Sequence, residues 1–264
     1  MTSYIKIQTS STTSLYRRIT NRFGKIEVND FKLSERVTIP YISLETSLQE
    51  SEKSKKLKIR RAARILKNLG VDKVVISDDT YSHYILDEGI SVISDCAAYI
   101  KRHALKIISF ALSRYAFIDT SSVCAVLDDD ASNITFEMID TISKHFREIC
   151  IISNNKEKAS EIVEEYFQNT GTPILTGNGT GLNRCSVLIS FNVLNDISEL
   201  EINRHALIID LSGTSKKQEK LNRVATGFIP YSGGEQGIAP PEDLMKLFAS
   251  ERIDSFEIKS LIFS

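Results

Sequence analysis

Three consecutive carboxylates, Asp128, Asp129 and Asp130, stand between the apolar run SVCAVL and the amphipathic stretch NITFEMIDTISKHF. Acids at such a junction can ligate a divalent cation, cap the following helix, or line a polar pocket that repels anions. Capping by Asp129, Asp130 and Ser132 is the plainest reading, because carboxylates favour the positive end of a helix dipole. A second polar turn, Ser153, Asn154, Asn155 and Lys156, closes the apolar run EICII, while Asn192 follows CSVLISF and Asp210 and Ser212 end HALIIDL. The densest glycine cluster, TGNGTGLNR, offers backbone amides that can cradle a phosphate with Arg184 as its clamp. It opens no long helix, however, and a flexible connection is the simpler reading.

Other chemistry is poorly supported. His83, His103, His145 and His205 show no HxxxH spacing and no matching cysteine or carboxylate cluster, so no metal site is assigned. Cys96, Cys124, Cys150 and Cys185 form no CxxC pair and read as small buried hydrophobes, which favours a reducing compartment and a cytoplasmic location. Among 264 residues, 33 are basic and 34 acidic, a balance that removes the electrostatic case for nucleic acid or an anionic membrane as the main partner. Eight Lys or Arg residues do crowd between Lys53 and Lys67, but no aromatic residue is interleaved with them, and a solvated helix face explains them. No run of 18 apolar residues occurs and the first residues carry no signal-peptide pattern, so neither a membrane span nor a leader is expected.

The elements that must position these residues follow from hydrophobic period. Short β-like segments are expected around Ile5 to Ile7, Lys25 to Val28 and Val37 to Ile42. A helix follows from Ser51 with Gly70 closing it, then the strand VDKVVIS, a short helix over Tyr81 to Leu86, a strand at Ile90 to Ile93 and a long apolar helix from Asp95 to Tyr115. Beyond Ser122 the alternation is clearer: SVCAVL, EICIIS, TPILT, CSVLISF and HALIIDL are five strands, the first three separated by NITFEMIDTISKHF and KEKASEIVEEYFQNTG as helices. Such alternation predicts a parallel, doubly wound sheet. PYSGGEQGIAPPEDL, after the fifth strand, is a glycine-rich return into a last helix and a candidate lid.

EICIISNNKEKASEIVEEYFQ resembles the second strand and helix of the Rossmann domain in shikimate dehydrogenases and glutamyl-tRNA reductases, and CSVLISF and LIIDLSG resemble their fourth and fifth strands. The likeness spans about half the chain and implies a Rossmann fold. It also implies a G-x-G-x-x-G turn after the first strand, whose missing side chains admit the cofactor pyrophosphate to a helix N-terminus. Here those positions fall on Asp128, Asp130 and Asn133, none of them glycine. Like charges at about 4 Å repel by roughly 1 kcal/mol even in water, and more in a crevice. The arginine that reads the 2′-phosphate of NADP in relatives falls on Asn155, with Lys156 beside it. A second resemblance, of Asp128, Asp130 and Ser132 to the D-x-D-x-T/V turn of haloacid-dehalogenase phosphatases, lacks the later lysine and acidic pair of that family.

The expected protein is therefore α/β, with a smaller N-terminal mixed α/β domain over 1–118 and a C-terminal Rossmann-like doubly wound parallel sheet over 119–264. Its strands should lie in the order 3-2-1-4-5, gathering Asp128, Ser153 and Asn192 at one edge. The expected role is non-catalytic binding of a small metabolite or protein partner in the cleft between domains, without a cofactor. An NAD- or NADP-dependent oxidoreductase with an atypical loop, or a metal-assisted phosphohydrolase, is the alternative. The candidate ligand-binding residues are Asp128, Asp129, Asp130, Asn154, Asn155, Lys156, Arg184, Asn192, Asp210 and Ser212.

Overall fold

A computed structural model describes residues 1–10, 26–48, 50–115, 123–177, 182–192, 202–203, 205–212, 224–235 and 237–263. The expected domain boundary at 118/119 and the glycines Gly179 and Gly181 lie outside these described residues. Backbone contacts group into two compact units: Met1–Asp95 with Ile229–Lys259, and Cys96–Phe228 with Ser260–Ser264.

The first unit carries a five-stranded sheet built from β1 (Thr2–Ser10), β2 (Asn29–Lys32), β3 (Thr38–Ser47), β4 (Lys73–Ile76) and β5 (Ser91–Val92), in the order β2-β3-β1-β4-β5. Pairings of β1 with β3 and β4, and of β4 with β5, are parallel; β2 runs antiparallel to β3. This is the mixed α/β architecture expected of the N-terminal region. The early strand expected at Lys25 to Val28 instead lies at β2, because antiparallel pairing of Asn29 with Tyr41 through Lys32 with Thr38 sets the register.

Helix α1 (Glu52–Asn68) begins where Ser51 accepts a hydrogen bond from the Ser54 amide and ends before Gly70, whose φ of 79° is the left-handed conformation glycine adopts at little cost. Its buried residues, Ile59, Ala62, Ala63 and Leu66, follow the i, i+3, i+4, i+7 pattern and pack with Ile5, Ile42, Leu44, Val74 and Ile76 of the sheet. Burying each large aliphatic side chain contributes about 1.5–3 kcal/mol before entropy is counted. The basic face is locally neutralised: Arg60 pairs with Asp87, Arg64 with Glu88 at 2.8 Å and Lys58 with Glu50 at 2.9 Å. Helix α2 (Ser82–Leu86) adds Ile85 to the same core.

In the second unit the expected long helix is two, α3 (Ala97–Arg102) and α4 (Ala104–Tyr115), separated at His103, whose backbone leaves the helical region. Then come β6 (Val123–Leu127), α5 (Asn133–Ser143), β7 (Glu148–Ile152), α6 (Lys156–Thr170), β8 (Leu175–Gly177), β9 (Cys185–Ser190) and β10 (Leu207–Asp210). Sequence had not signalled β11 (Val224–Tyr231) and β12 (Glu257–Phe263), which flank α7 (Pro241–Ser250). The seven-stranded sheet has the order β12-β11-β10-β9-β6-β7-β8. All pairs from β8 through β11 are parallel. The first five strands of this sheet are thus ordered 3-2-1-4-5, the doubly wound Rossmann-like arrangement, with the winding reversing between β6 and β9. Val123 through Val126 are buried on both sheet faces, which is why this run reads as uniformly apolar rather than alternating.

The chain passes from the second unit to the first after Phe228 and returns after Lys259. Consequently PYSGGEQGIAPPEDL, the candidate lid, belongs to the first unit and leads into α7, which packs against β1 and β4. No helix among the described residues is long and apolar enough to cross a membrane.

Candidate functional site

Parallel strands begin at one sheet edge and end at the other, so the turns after β6, β7, β9 and β10 share the carboxyl edge. The turn after β6 is the most constrained. Asp128 is 4% exposed, and its amide donates to Ile152 O at 3.0 Å, continuing the β6–β7 ladder. Ala131, fully buried, takes a left-handed φ of 45°, a conformation that favours glycine and is held here by its amide donating to Asp128 O. This turn brings the Asp128 side chain back onto the start of α5. Its Oδ2 accepts from the Ser132 amide at 2.7 Å, the Ser132 hydroxyl at 2.8 Å and the Thr135 hydroxyl; Oδ1 accepts from the Asp130 amide at 3.3 Å.

Ser132 is the N-cap residue of α5, but its side chain makes no capping bond to the helix and donates to Asp128 instead; Asp128 ties the turn to the helix through the Ser132 and Thr135 hydroxyls. The left-handed turn at Ala131 folds this more distant carboxylate back onto Ser132 and Thr135. Burial alone would raise the Asp128 pKa; hydrogen bonds from Thr135 and Ser132 outweigh it and hold the carboxyl below its ordinary value. The turn before α5 thus carries a buried negative charge, the protein's own. Both Asp128 oxygens accept hydrogen bonds within the turn. Among the described residues, no three His, Cys, Asp or Glu side chains are placed to hold a metal ion.

Asp129 ties the edge together through its backbone. Its amide donates to Asn192 Oδ1 at 3.3 Å, and its carbonyl accepts from the Ser153 hydroxyl at 3.0 Å and the Asn155 amide at 3.3 Å. Asp128, Ser153 and Asn192 thus gather as the strand order requires. Asn155 caps α6 by accepting from the Lys158 amide at 3.2 Å, so its side-chain oxygen serves the helix first. The side chains of Asn154, Asn155 and Lys156 are exposed, as is that of Asp130, and Asp129 is half-buried.

On β10, Asp210 lies in register with Ser190, itself in register with Leu127 of β6. Asp210 is 1% exposed; Oδ1 accepts from the Ser212 amide at 2.8 Å, and Oδ2 has no hydrogen-bond partner among the described residues. Burial pushes its pKa up, with the bonds from Ser212 pulling partly the other way. A buried, half-satisfied carboxyl at a strand end is costly to keep, and ligand contacts can repay that cost.

Arg184 does not join this group. It precedes β9, whose first residue aligns with Val123, and it faces Glu148 at the start of β7 at 3.8 Å. It therefore sits at the amino edge, a strand length of about 17–20 Å from the turn after β6.

Sequence reasoning also missed Thr135 and Ser190. Thr135 lies in the first turn of α5, where a buried threonine seven residues after an aspartate is the sequence's trace of its bond to Asp128. Ser190 donates to Asn192 O at 3.0 Å and so shapes the turn that presents Asn192.

No family profile matches the chain, and no curated protein sequence is similar to it. Among solved structures, L-tryptophan dehydrogenase from Nostoc punctiforme is similar at 10% identity and a TM-score of 0.31, over 84% of this chain and 64% of that one. Quinate dehydrogenase from Corynebacterium glutamicum in complex with NAD is similar at 8% identity and a TM-score of 0.32, over 80% of each chain. Ornithine carbamoyltransferase from Burkholderia thailandensis reaches 12% identity and a TM-score of 0.28, over 95% of this chain and 82% of that one. This chain thus spans less than two thirds of the first of these proteins. Likenesses at this level carry no functional argument; the Rossmann-like assignment stands on strand order and parallel pairing.

Proposed function

We propose that the carboxyl edge of β6, β7, β9 and β10 binds a small molecule or a partner group, and that it does so without a dinucleotide pyrophosphate. The observation that carries this reading is the Asp128 carboxylate in the turn before α5, where it accepts from the Asp130 and Ser132 amides and sets a negative charge where a pyrophosphate would lie. What the edge offers instead is acceptor-rich: the carboxylates of Asp129 and Asp130, the unpartnered Oδ2 of Asp210 and the Asn192 amide, with Lys156 as a cation nearby. Such a set suits a ligand that donates hydrogen bonds or carries a positive charge. The role is binding rather than catalysis, as in a dehydrogenase-like fold that has lost its cofactor.

Isothermal titration with NAD, NADP and ADP-ribose tests the proposal on the full chain. No saturable heat is expected with any of the three. In the double substitution Asp128→Gly, Asp130→Gly, weak ADP-ribose binding should emerge wherever the fold survives, because two negative charges are removed and the amides of the turn before α5 are then free. Micromolar binding of NAD or NADP to the unaltered chain would overturn the proposal and favour an oxidoreductase with an atypical loop.

A further inference from the structure

The first unit holds a cavity of about 250 Å³ whose walls include Phe31, Leu33, Tyr231, Leu244 and Phe248, with Lys259 on its border. It is built rather than left over. The segment after β11 is stitched to the turn after β2 by two backbone hydrogen bonds, Glu35 N to Ser232 O at 2.8 Å and Glu235 N to Lys32 O at 2.7 Å. That approach demands glycine: a Cβ on Gly234 would lie 2.3 Å from Leu33 O, and Gly233 has a φ of 72°. The stitching holds Leu33 and Tyr231 as facing parts of one preformed wall, which lowers the ordering cost of binding.

Charge at the border is specific in position. The Lys259 ammonium lies 3.8 Å from the centroid of the Tyr231 ring, and no carboxylate among the described residues pairs with it. Glu235 is the other charged residue on the border, and it is exposed. An apolar interior with a cation fixed over one of its own aromatic walls is complementary to a molecule that is apolar at one end and anionic at the other. Size narrows the class further. A dry apolar cavity of about 150 Å³ holds benzene, so this one accommodates a single ring plus a carboxylate and little more.

We infer that the first unit binds a small apolar carboxylate, its ring or branched chain among Phe31, Leu244 and Phe248 and its carboxylate at Lys259. This is independent of the carboxyl-edge site in the second unit. Ligand-observed NMR on the full chain, with benzoate, benzyl alcohol and benzylamine as probes, tests it. Benzoate should bind roughly tenfold more tightly than the alcohol, the order of one charge-assisted contact, and benzylamine more weakly still. Lys259→Met, an exposed substitution, should bring benzoate down to the level of benzyl alcohol with an unchanged melting temperature. Leu244→Trp, which fills the cavity, should abolish binding of all three. The inference fails if benzylamine binds as well as benzoate, if Lys259→Met leaves benzoate binding intact, or if none of the probes binds.

Discussion

The hydroxyl of Tyr4 donates to Asp243 Oδ2 at 3.1 Å, joining residues 239 positions apart in the chain. Both side chains are buried, on the sheet face opposite the one that receives α1, since Tyr4 alternates with Ile5 along β1. Asp243 has a second contact, with Lys246 at 3.5 Å. Burial raises the Asp243 pKa, and Lys246 and Tyr4 offset part of that rise. Tyr4→Phe strips one donor from a buried carboxyl while keeping the ring, and is expected to cost about 1–3 kcal/mol. Chemical denaturation of the single variant, and of Tyr4→Phe with Asp243→Leu, checks this: the pair should lose less than the sum of the two singles.

Asp128→Asn should destabilise by at least about 2 kcal/mol at neutral pH, since it weakens bonds to buried donors at the start of α5. Its folded-state pKa lies below the ordinary 3.8, so its contribution is present above that value and lost as pH falls through the folded pKa. The stability gap between the parent chain and the variant should therefore be constant near neutrality and close in acid. Urea titrations at a series of pH values read this directly.

Asp210 should behave in the opposite sense. Burial raises its pKa above 3.8, so its favourable contribution is complete below that value and is lost as pH rises through the folded pKa. Asp210→Asn is expected to be at least as stable as the parent chain at pH 7, with the advantage vanishing in acid. A variant less stable at pH 7 than in acid, relative to the parent, would contradict the assignment of Oδ2 as unpartnered.

Gly234→Ala places a Cβ within 2.6 Å of the Lys32 and Leu33 backbone, and backbone cannot move aside as a side-chain tip can. A loss of about 1–3 kcal/mol is expected, as for other overpacked positions. The same substitution should weaken benzoate binding, because it pushes apart the two segments that form the cavity wall.

Thiol reactivity follows burial. Cys124 is fully buried, and burial pushes its thiol far up; Cys185 is pushed up to about 11 by the same cause, and Cys150, half-buried, is raised less. With an aromatic disulfide reagent at pH 8, Cys124 and Cys185 should react only on the timescale of unfolding, and Cys150 ahead of them. Mass spectrometry of partially labelled protein identifies the order.

The amino-acid sequence by itself determined the succession of strands and helices through β10, apart from the break at His103, because period is a local property: VCAVL is apolar throughout, and Ile59, Ala62, Ala63 and Leu66 recur at helical spacing. It also determined that no glycine stands at the first Rossmann turn, and parallel α/β alternation then sufficed to place Asp128, Ser153 and Asn192 on one edge. Only the tertiary structure decided which carboxylate meets the helix, since that depends on the left-handed turn at Ala131. Only tertiary structure assigned Arg184 to the amino edge and brought α7 back to the first unit, where Asp243 finds Tyr4. Long-range pairing leaves no local period in the chain: Lys259 beside Tyr231 and Gly234 against Leu33 are consequences of packing between distant segments, and composition is blind to them.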